Sequence, residues 1–253
     1  MSAGVRIYLT GRLCVVGPGG SVGESDLSGN QARTAFAALV HERRPIQRDR
    51  LADIIWNGEL PDTWNTSLNA VVSKLRRQLS RVGLDSKQVL TAAGGSYGVS
   101  LPSGAWVDTE DATRRVDRAD GAMRHGDLPA ALRDATVASS ILRRPFLAGV
   151  EGDWVAGVRR VLHDGLYRSY VVLSSGWREQ HDHQLASSTA EQAIQLDPIR
   201  ETAYRLLMEA ELARGDPIAA LRAFDLCERM VRDEFDATPS SATIELADRA
   251  RGS

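Results

Sequence analysis

Cysteine is nearly missing from this chain of 253 residues: Cys14 and Cys227 are the whole supply. Two thiols can build neither a disulfide framework nor a zinc site by themselves, so each reads as a small buried hydrophobe. Long apolar runs are missing too. None approaches the roughly 20 residues that a membrane-spanning helix needs, which argues against a membrane partner. The first residues, MSAGVRIYLTGRLCVV, lack the basic start, unbroken apolar centre and small-residue cleavage site of a secretory signal, so the expected location is cytoplasmic. Aromatic residues make up only 6%, whereas 43% hydrophobic and 25% charged residues are ordinary for a globular protein. Of 31 basic side chains, only Lys74 and Lys87 are lysines.

The signatures of catalysis are equally scarce. Gly17-Pro18-Gly19-Gly20 is no phosphate loop, because no Lys-Ser/Thr and helix follow it. Leu173-Ser174-Ser175-Gly176 lies within helical periodicity and is no nucleophile elbow. His181 and His183 are two residues apart, cannot share a helix face, and have no third ligand nearby. No paired carboxylates stand out. Trp154 and Trp177 read as packing residues. The sequence therefore predicts a protein that is not an enzyme and has no metal or cofactor.

What is present begins with a charge asymmetry. Residues 1–105 carry twelve Lys and Arg against eight Asp and Glu, a net +4, and residues 106–253 carry nineteen against twenty-five, a net −6. A basic module joined to an acidic one suits a DNA-binding domain followed by something else. Within the first part, TWNTSLNAVVSKLRRQLSRVG at 63–83 reads as one amphipathic helix. Leu68, Val72, Leu75 and Leu79 form an apolar stripe, with Trp64 beside it. At about 100° per residue, the opposite face carries Thr66, Ala70, Ser73, Lys74, Arg77 and Arg81. No acid occurs between Asp62 and Asp85. Small polar side chains let a helix approach base edges, and flanking cations hold phosphate. Arg43, Arg44 and Arg48 could also meet phosphate, but such a charge run reads as a solvated face.

The surrounding pattern gives this helix its place. Short strands are expected at VRIYL and RLCVV, with a turn at Gly17–Gly20 and a third strand near Ser21–Leu27. Ser28-Gly29-Asn30 introduces a helix facing Ala32, Ala35, Phe36 and Leu39 inward. Asp49–Trp56 is a second helix, with Leu51, Ile54 and Ile55 inward and Asn57-Gly58 as its stop. After the third helix, Val89–Thr91, a Gly94-Gly95-Ser96 turn and Tyr97–Leu101 read as a hairpin. Strands, three helices and a hairpin make a winged helix with an N-terminal sheet.

From Trp106 onward, apolar spacing predicts helix after helix. The octet Gly126–Arg133 matches Gly215–Arg222 as GD-x-x-AALR, and a weaker copy begins at Asp182, 34 residues before Asp216. That period, with a tight turn and an Ala-rich helix, is the mark of tetratricopeptide-like helix pairs. The fold class is thus mainly α with a small β part: a winged helix-turn-helix domain at 1–105 and a tetratricopeptide-like helical-repeat domain at 106–253.

SLNAVVSKLRRQL at 67–79 is similar to the recognition helix of the OmpR-type winged helix. RRPFLAGVEGDWV at 143–155, LDPIRETAYRLLMEAELARGDPIAALRAFDLCERM at 196–230 and DEFDATPS at 233–240 resemble the bacterial transcriptional activation domain. Together they resemble the Streptomyces antibiotic regulatory protein family of activators over nearly the whole chain. The resemblance implies binding to double-stranded promoter DNA at direct repeats, often as a homodimer, and recruitment of RNA polymerase holoenzyme. Its groove-facing positions fall on Thr66, Ala70, Val71, Ser73 and Lys74, and its phosphate contacts on Arg76 and Arg77. Arg81 joins that phosphate set from the helical face. The family's wing carries an arginine before the glycine turn and another after the tyrosine, whereas this chain has Ala93 and Gly98 there. A neutral wing keeps a second reading open: a helical-repeat adaptor whose winged helix serves protein contact.

Overall fold

The computed structural model describes residues 4–27 and 29–252. The chain divides into two compact units, Met1–Asp111 with Ile141–Leu162, and Ala112–Ser140 with His163–Ser253. Its class is the expected one, mainly α with a small β part.

In the first unit, β1 (Arg6–Tyr8), β2 (Cys14–Gly17) and β3 (Gly20–Gly23) form an antiparallel meander. Alternation puts Ile7, Val15 and Val22 inside, each no more than 2% exposed. The helix expected after Ser28-Gly29-Asn30 is α1 (Asn30–Glu42); Ser28 itself lies outside the described residues. Beyond the four inward residues expected, α1 also buries Thr34, Ala37, Ala38 and Val40, so it is enclosed on most sides. Its alanines leave room for neighbours around the whole circumference. Next come β4 (Ile46–Gln47), α2 (Arg48–Trp56), α3 (Trp64–Arg81), the short α4 (Ser86–Val89), and the hairpin β5 (Leu90–Ala93) and β6 (Ser96–Val99). In α2, Leu51 and Ile54 are buried as expected, and Ile55 is half-buried.

Two strands were not anticipated. The pair Ile46–Gln47 joins the hairpin in the order β4-β6-β5. Trp106–Val107, expected to open the helical part, is β7, which pairs parallel with β1 and completes the order β3-β2-β1-β7. Two residues are too few to show a period of two, and β7's partner lies about 100 positions away in sequence. Asp108 explains why the chain is held there. It is 0% exposed and accepts hydrogen bonds from the amides of Leu9 (2.9 Å), Thr10 (3.0 Å) and Thr109 (2.8 Å) and from the Thr10 hydroxyl (2.7 Å).

The Gly17–Gly20 turn also has a structural task. A Cβ on Gly17 would stand 2.4 Å from the Val82 carbonyl oxygen, and one on Gly19 would stand 2.8 Å from the Gly83 amide. The Gly19 amide donates to the Val82 carbonyl at 3.0 Å. Only glycine lets the turn come this close to the end of α3.

Among its described residues the second unit is helical, drawing on α5 (Asp108–Arg124), α6 (Leu128–Leu142), α7 (Asp153–Glu179), α8 (His183–Leu196), α9 (Glu201–Ala213), α10 (Pro217–Phe235) and α11 (Ser241–Arg251). The three repeat turns share one geometry. Gly126, His181 and Gly215 all take a left-handed φ, of 74°, 61° and 79°. The aspartate that follows each one caps a helix: Asp127 accepts from the Ala130 amide, Asp182 from Leu185 and Asp216 from Ala219, at 3.2, 3.1 and 2.9 Å. His181 therefore holds the position that glycine takes in the other two turns. Cys227 is 0% exposed, and burial pushes its thiol up to about 12, so it packs as an apolar residue. Asp134 is a buried carboxylate held between Arg115 (2.7 Å) and Arg118 (3.1 Å); the Arg118 hydrogen bond first, and the charges of both arginines after it, keep it below the usual carboxylate range despite its burial.

Asp108→Ala strands three backbone amides and a hydroxyl away from water, so it should cost about 3 kcal/mol or more. A urea melt reads this as a lowered midpoint. A loss under about 1 kcal/mol would show that these donors find other partners.

Candidate nucleic-acid interface

Helix α3 is set by its apolar stripe. Leu68, Val72, Leu75 and Leu79 are each no more than 3% exposed, which turns the opposite face outward. Thr63 stands at the N-cap, and the Trp64 amide donates to the Pro61 carbonyl at 2.8 Å. The exposed residues are Asn65, Thr66, Asn69, Ala70, Ser73, Arg77, Ser80 and Arg81, with Lys74 half-buried beside them. This is one continuous surface of small polar groups followed by cations, with no carboxylate of its own.

The expected reading residues separate into two groups. Thr66, Ala70, Ser73 and Arg77 are exposed on this surface, and Lys74 borders it. Val71, Arg76 and Arg81 are engaged in the fold. Val71 is 8% exposed and has little surface to offer a base. Arg76 donates from Nε (3.3 Å) and Nη2 (3.0 Å) to the Leu90 carbonyl at the start of the hairpin. Arg81 donates to Asp26 and to Gln78, each at 2.8 Å. The Gly23 amide first, and Arg81 second, hold the Asp26 carboxyl below its ordinary range.

Of the three arginines read as a solvated run, Arg43 and Arg44 are exposed, Arg44 at 80% of its side chain, and Arg48 is half-buried. Arg43 makes a two-pronged pair with Glu110, at 2.5 and 3.0 Å. Arg48 opens α2 and joins the hairpin to α3. Its Nη1 donates to the Tyr97 hydroxyl (2.5 Å), its guanidinium lies 5.2 Å from the Tyr97 ring centre, and its Nη2 donates to Asn69 Oδ1 (3.0 Å) and to Asn65 Oδ1. The Tyr97 hydroxyl donates to Asn69 Oδ1 at 3.0 Å. Sequence reasoning missed Asn65, Asn69 and this role of Arg48. The signal within reach was two asparagines at i and i+4 on the acid-free face.

The wing is neutral. Thr91, Ala92, Ala93, Gly94 and Gly95 are exposed and none is charged. Gly98 is buried, and a Cβ there would lie 3.3 Å from Thr91 Oγ1 and 3.7 Å from Pro45. The second missing arginine thus has no ready place in this hairpin, whereas Ala93 faces solvent.

Comparison with known proteins adds the following. A family model described as the bacterial transcriptional activator domain matches residues 107–251. Curated relatives include the transcriptional regulatory protein EmbR of Mycobacterium tuberculosis and of Mycobacterium bovis, 34% identical over 111 residues. That match takes in 40% of this chain and 28% of the relative's length. A solved structure of Mycobacterium tuberculosis EmbR, in complex with a low affinity phosphopeptide, shares the fold with a TM-score of 0.88 at 22% identity, over 98% of this chain and 65% of that one.

If the hairpin lies against DNA, Ala93→Arg should tighten binding and steepen its salt dependence by about one counterion. Gly98→Arg should instead lower the melting temperature without that gain. Fluorescence anisotropy across a salt series, with a thermal melt of each variant, reads both effects.

Proposed function

The chain belongs to the bacterial transcriptional activator domain family, and from that premise we propose that it is a DNA-binding transcription regulator and an activator. The observation that carries this reading is the surface of α3. An exposed, acid-free face lies beside a β-hairpin, with small side chains toward its start and Lys74 and Arg77 toward its end. A helix of that composition fits the major groove, where small residues approach base edges and cations meet phosphate.

In this reading Thr66, Ala70, Ser73 and Lys74 meet the bases. Ala70 contacts a thymine methyl, and Lys74 contacts guanine O6 or N7. Arg77 holds phosphate. Val71 and Arg76 support the helix from within the fold, Arg81 is tied up in an exposed pair with Asp26, and all three contribute less than their sequence positions imply. We assign DNA binding to residues 1–105 and protein contact to residues 106–253. Contact with RNA polymerase holoenzyme and pairing of two protomers on direct repeats are the partner functions proposed for the helical part. No catalytic step is proposed. Among the described residues, no helix is long and apolar enough to cross a membrane.

A footprint on the DNA upstream of the protein's own gene, followed by binding measurements across a salt series, tests the reading. Lys74→Ala should lose about 1–3 kcal/mol at one base position. Arg77→Ala should weaken specific and random DNA alike and reduce the salt slope by about 1. Absence of any specific complex at low salt would overturn the assignment.

A further inference from the structure

Asn65 and Asn69 stand one helical turn apart on the exposed face of α3, and both offer their Oδ1 to Arg48. A guanidinium has donors and no acceptor, so the asparagine atom that faces it must be the carbonyl oxygen. Tyr97 follows the same logic: its hydroxyl accepts from Arg48 and gives its single proton to Asn69 Oδ1. Both acceptor positions of Asn69 Oδ1 are then filled. Its Nδ2 group has no hydrogen-bond partner among the described residues. Asn69 is therefore an exposed amide of fixed orientation, with its oxygen turned to the protein and its NH2 turned outward.

We propose that Asn69 is a specificity residue that reads a base edge rich in hydrogen-bond acceptors, guanine O6/N7 or thymine O4, through Nδ2, and that Arg48 and Tyr97 are positioning residues that fix this orientation. The proposal rests on the DNA-binding reading above. A free asparagine pairs with adenine through two bonds, donating to N7 and accepting from N6. Asn69 has no acceptor left for N6, so that pairing is closed to it, as is acceptance from cytosine N4. The network thus turns a side chain that suits adenine into a one-sided donor. Asn65 keeps one acceptor position open and is not restricted in this way.

The test uses the full chain on its footprinted DNA, with each base pair in the footprint replaced in turn. Wild-type binding should fall about tenfold at one guanine or thymine position, the scale of one lost base contact. Asn69→Ala should lose about tenfold on the native site and become indifferent at that base pair. Arg48→Ala and Tyr97→Phe should lose discrimination at the same base pair, each with less than additive effect when combined with Asn69→Ala. Arg48→Lys should not restore it, because a point ammonium cannot hold two carbonyls and a hydroxyl as a planar fork does. Should Arg48→Ala fail to fold, Tyr97→Phe, which removes a single oxygen, carries the test. The proposal falls if Asn69→Ala keeps wild-type affinity and base profile, or if Asn69 reads an adenine whose N6 amino group, when removed, weakens binding through Asn69. A chain that leaves no footprint at any salt is a different result: it overturns the DNA-binding reading and takes this proposal with it.

Discussion

The rotation of α3 about its own axis is the constraint on which the interface depends. Leu68, Val72, Leu75 and Leu79 set it by being buried together. Full burial of such side chains is worth about 1.5–3 kcal/mol each, on the order of 8 kcal/mol for the four. An exposed hydrogen bond or ion pair contributes a fraction of 1 kcal/mol to about 1 kcal/mol. A turn of one residue around the axis would expose part of the stripe, and no polar contact on the far side could offset that. Position along the axis is set separately, by the glycine turn that meets Val82 and Gly83. Apolar burial fixes the angle, close backbone contact fixes the height, and the outward face follows from both.

Within that setting, the arginines divide by what surrounds them. Arg48, Arg76 and Arg81 each find acceptors inside the unit: asparagine oxygens and a tyrosine hydroxyl, a backbone carbonyl, and a carboxylate. A guanidinium presents five donors in a rigid fork, so one side chain can join several elements at once. Arg48 does this for α2, α3 and β6, and Arg76 ties α3 to the base of the hairpin. The hairpin tip carries no cation, and Arg48 and Arg76 hold the hairpin to its neighbouring helices. Preorganisation of that kind lowers the entropic cost of binding, though it adds no charge.

Features repeated at short range were legible in the sequence. The stripe of α3, the hairpin around Gly94-Gly95 and the helices after Trp106 all declare themselves within a window of one element. The repeat turns did so as well: GD-x-x-AALR announced tight turns at 126–127 and 215–216, and the 34-residue offset pointed to a third at Asp182, where the structure then shows the left-handed residue and the Asp cap. Features made by long-range partners were not legible. The strands β4 and β7 are two residues each and exist through partners about 50 and 100 positions away. Asp108 carries no local signal of the amides it binds, and Arg48 looked like one more solvated cation. The candidate surface itself split along the same line. Residues placed by the helical wheel, Thr66, Ala70, Ser73 and Arg77, are exposed, whereas Val71 and Arg76, which flank that face, turn to the core and to a carbonyl.

The flank residues show why a helical wheel over-counts a binding face. A wheel sorts side chains by angle alone, and α3 buries Val71 as well as its apolar stripe, so the covered arc is wider than the stripe itself. At the edge of the covered arc, a long side chain folds back to the nearest acceptor, because a hydrogen bond to a carbonyl that is half-shielded from water is stronger than solvation by bulk water. Arg76 meets that condition at Leu90, whereas Arg81 is held in an exposed ion pair with Asp26. Arg77, one residue on from Arg76, points about 100° further around and makes no such hydrogen bond among the described residues. The cations that remain directed outward on α3 are therefore fewer than the sequence suggests, and in the proposed DNA-binding reading base-edge contacts from the small residues and asparagines supply a larger share of the selectivity.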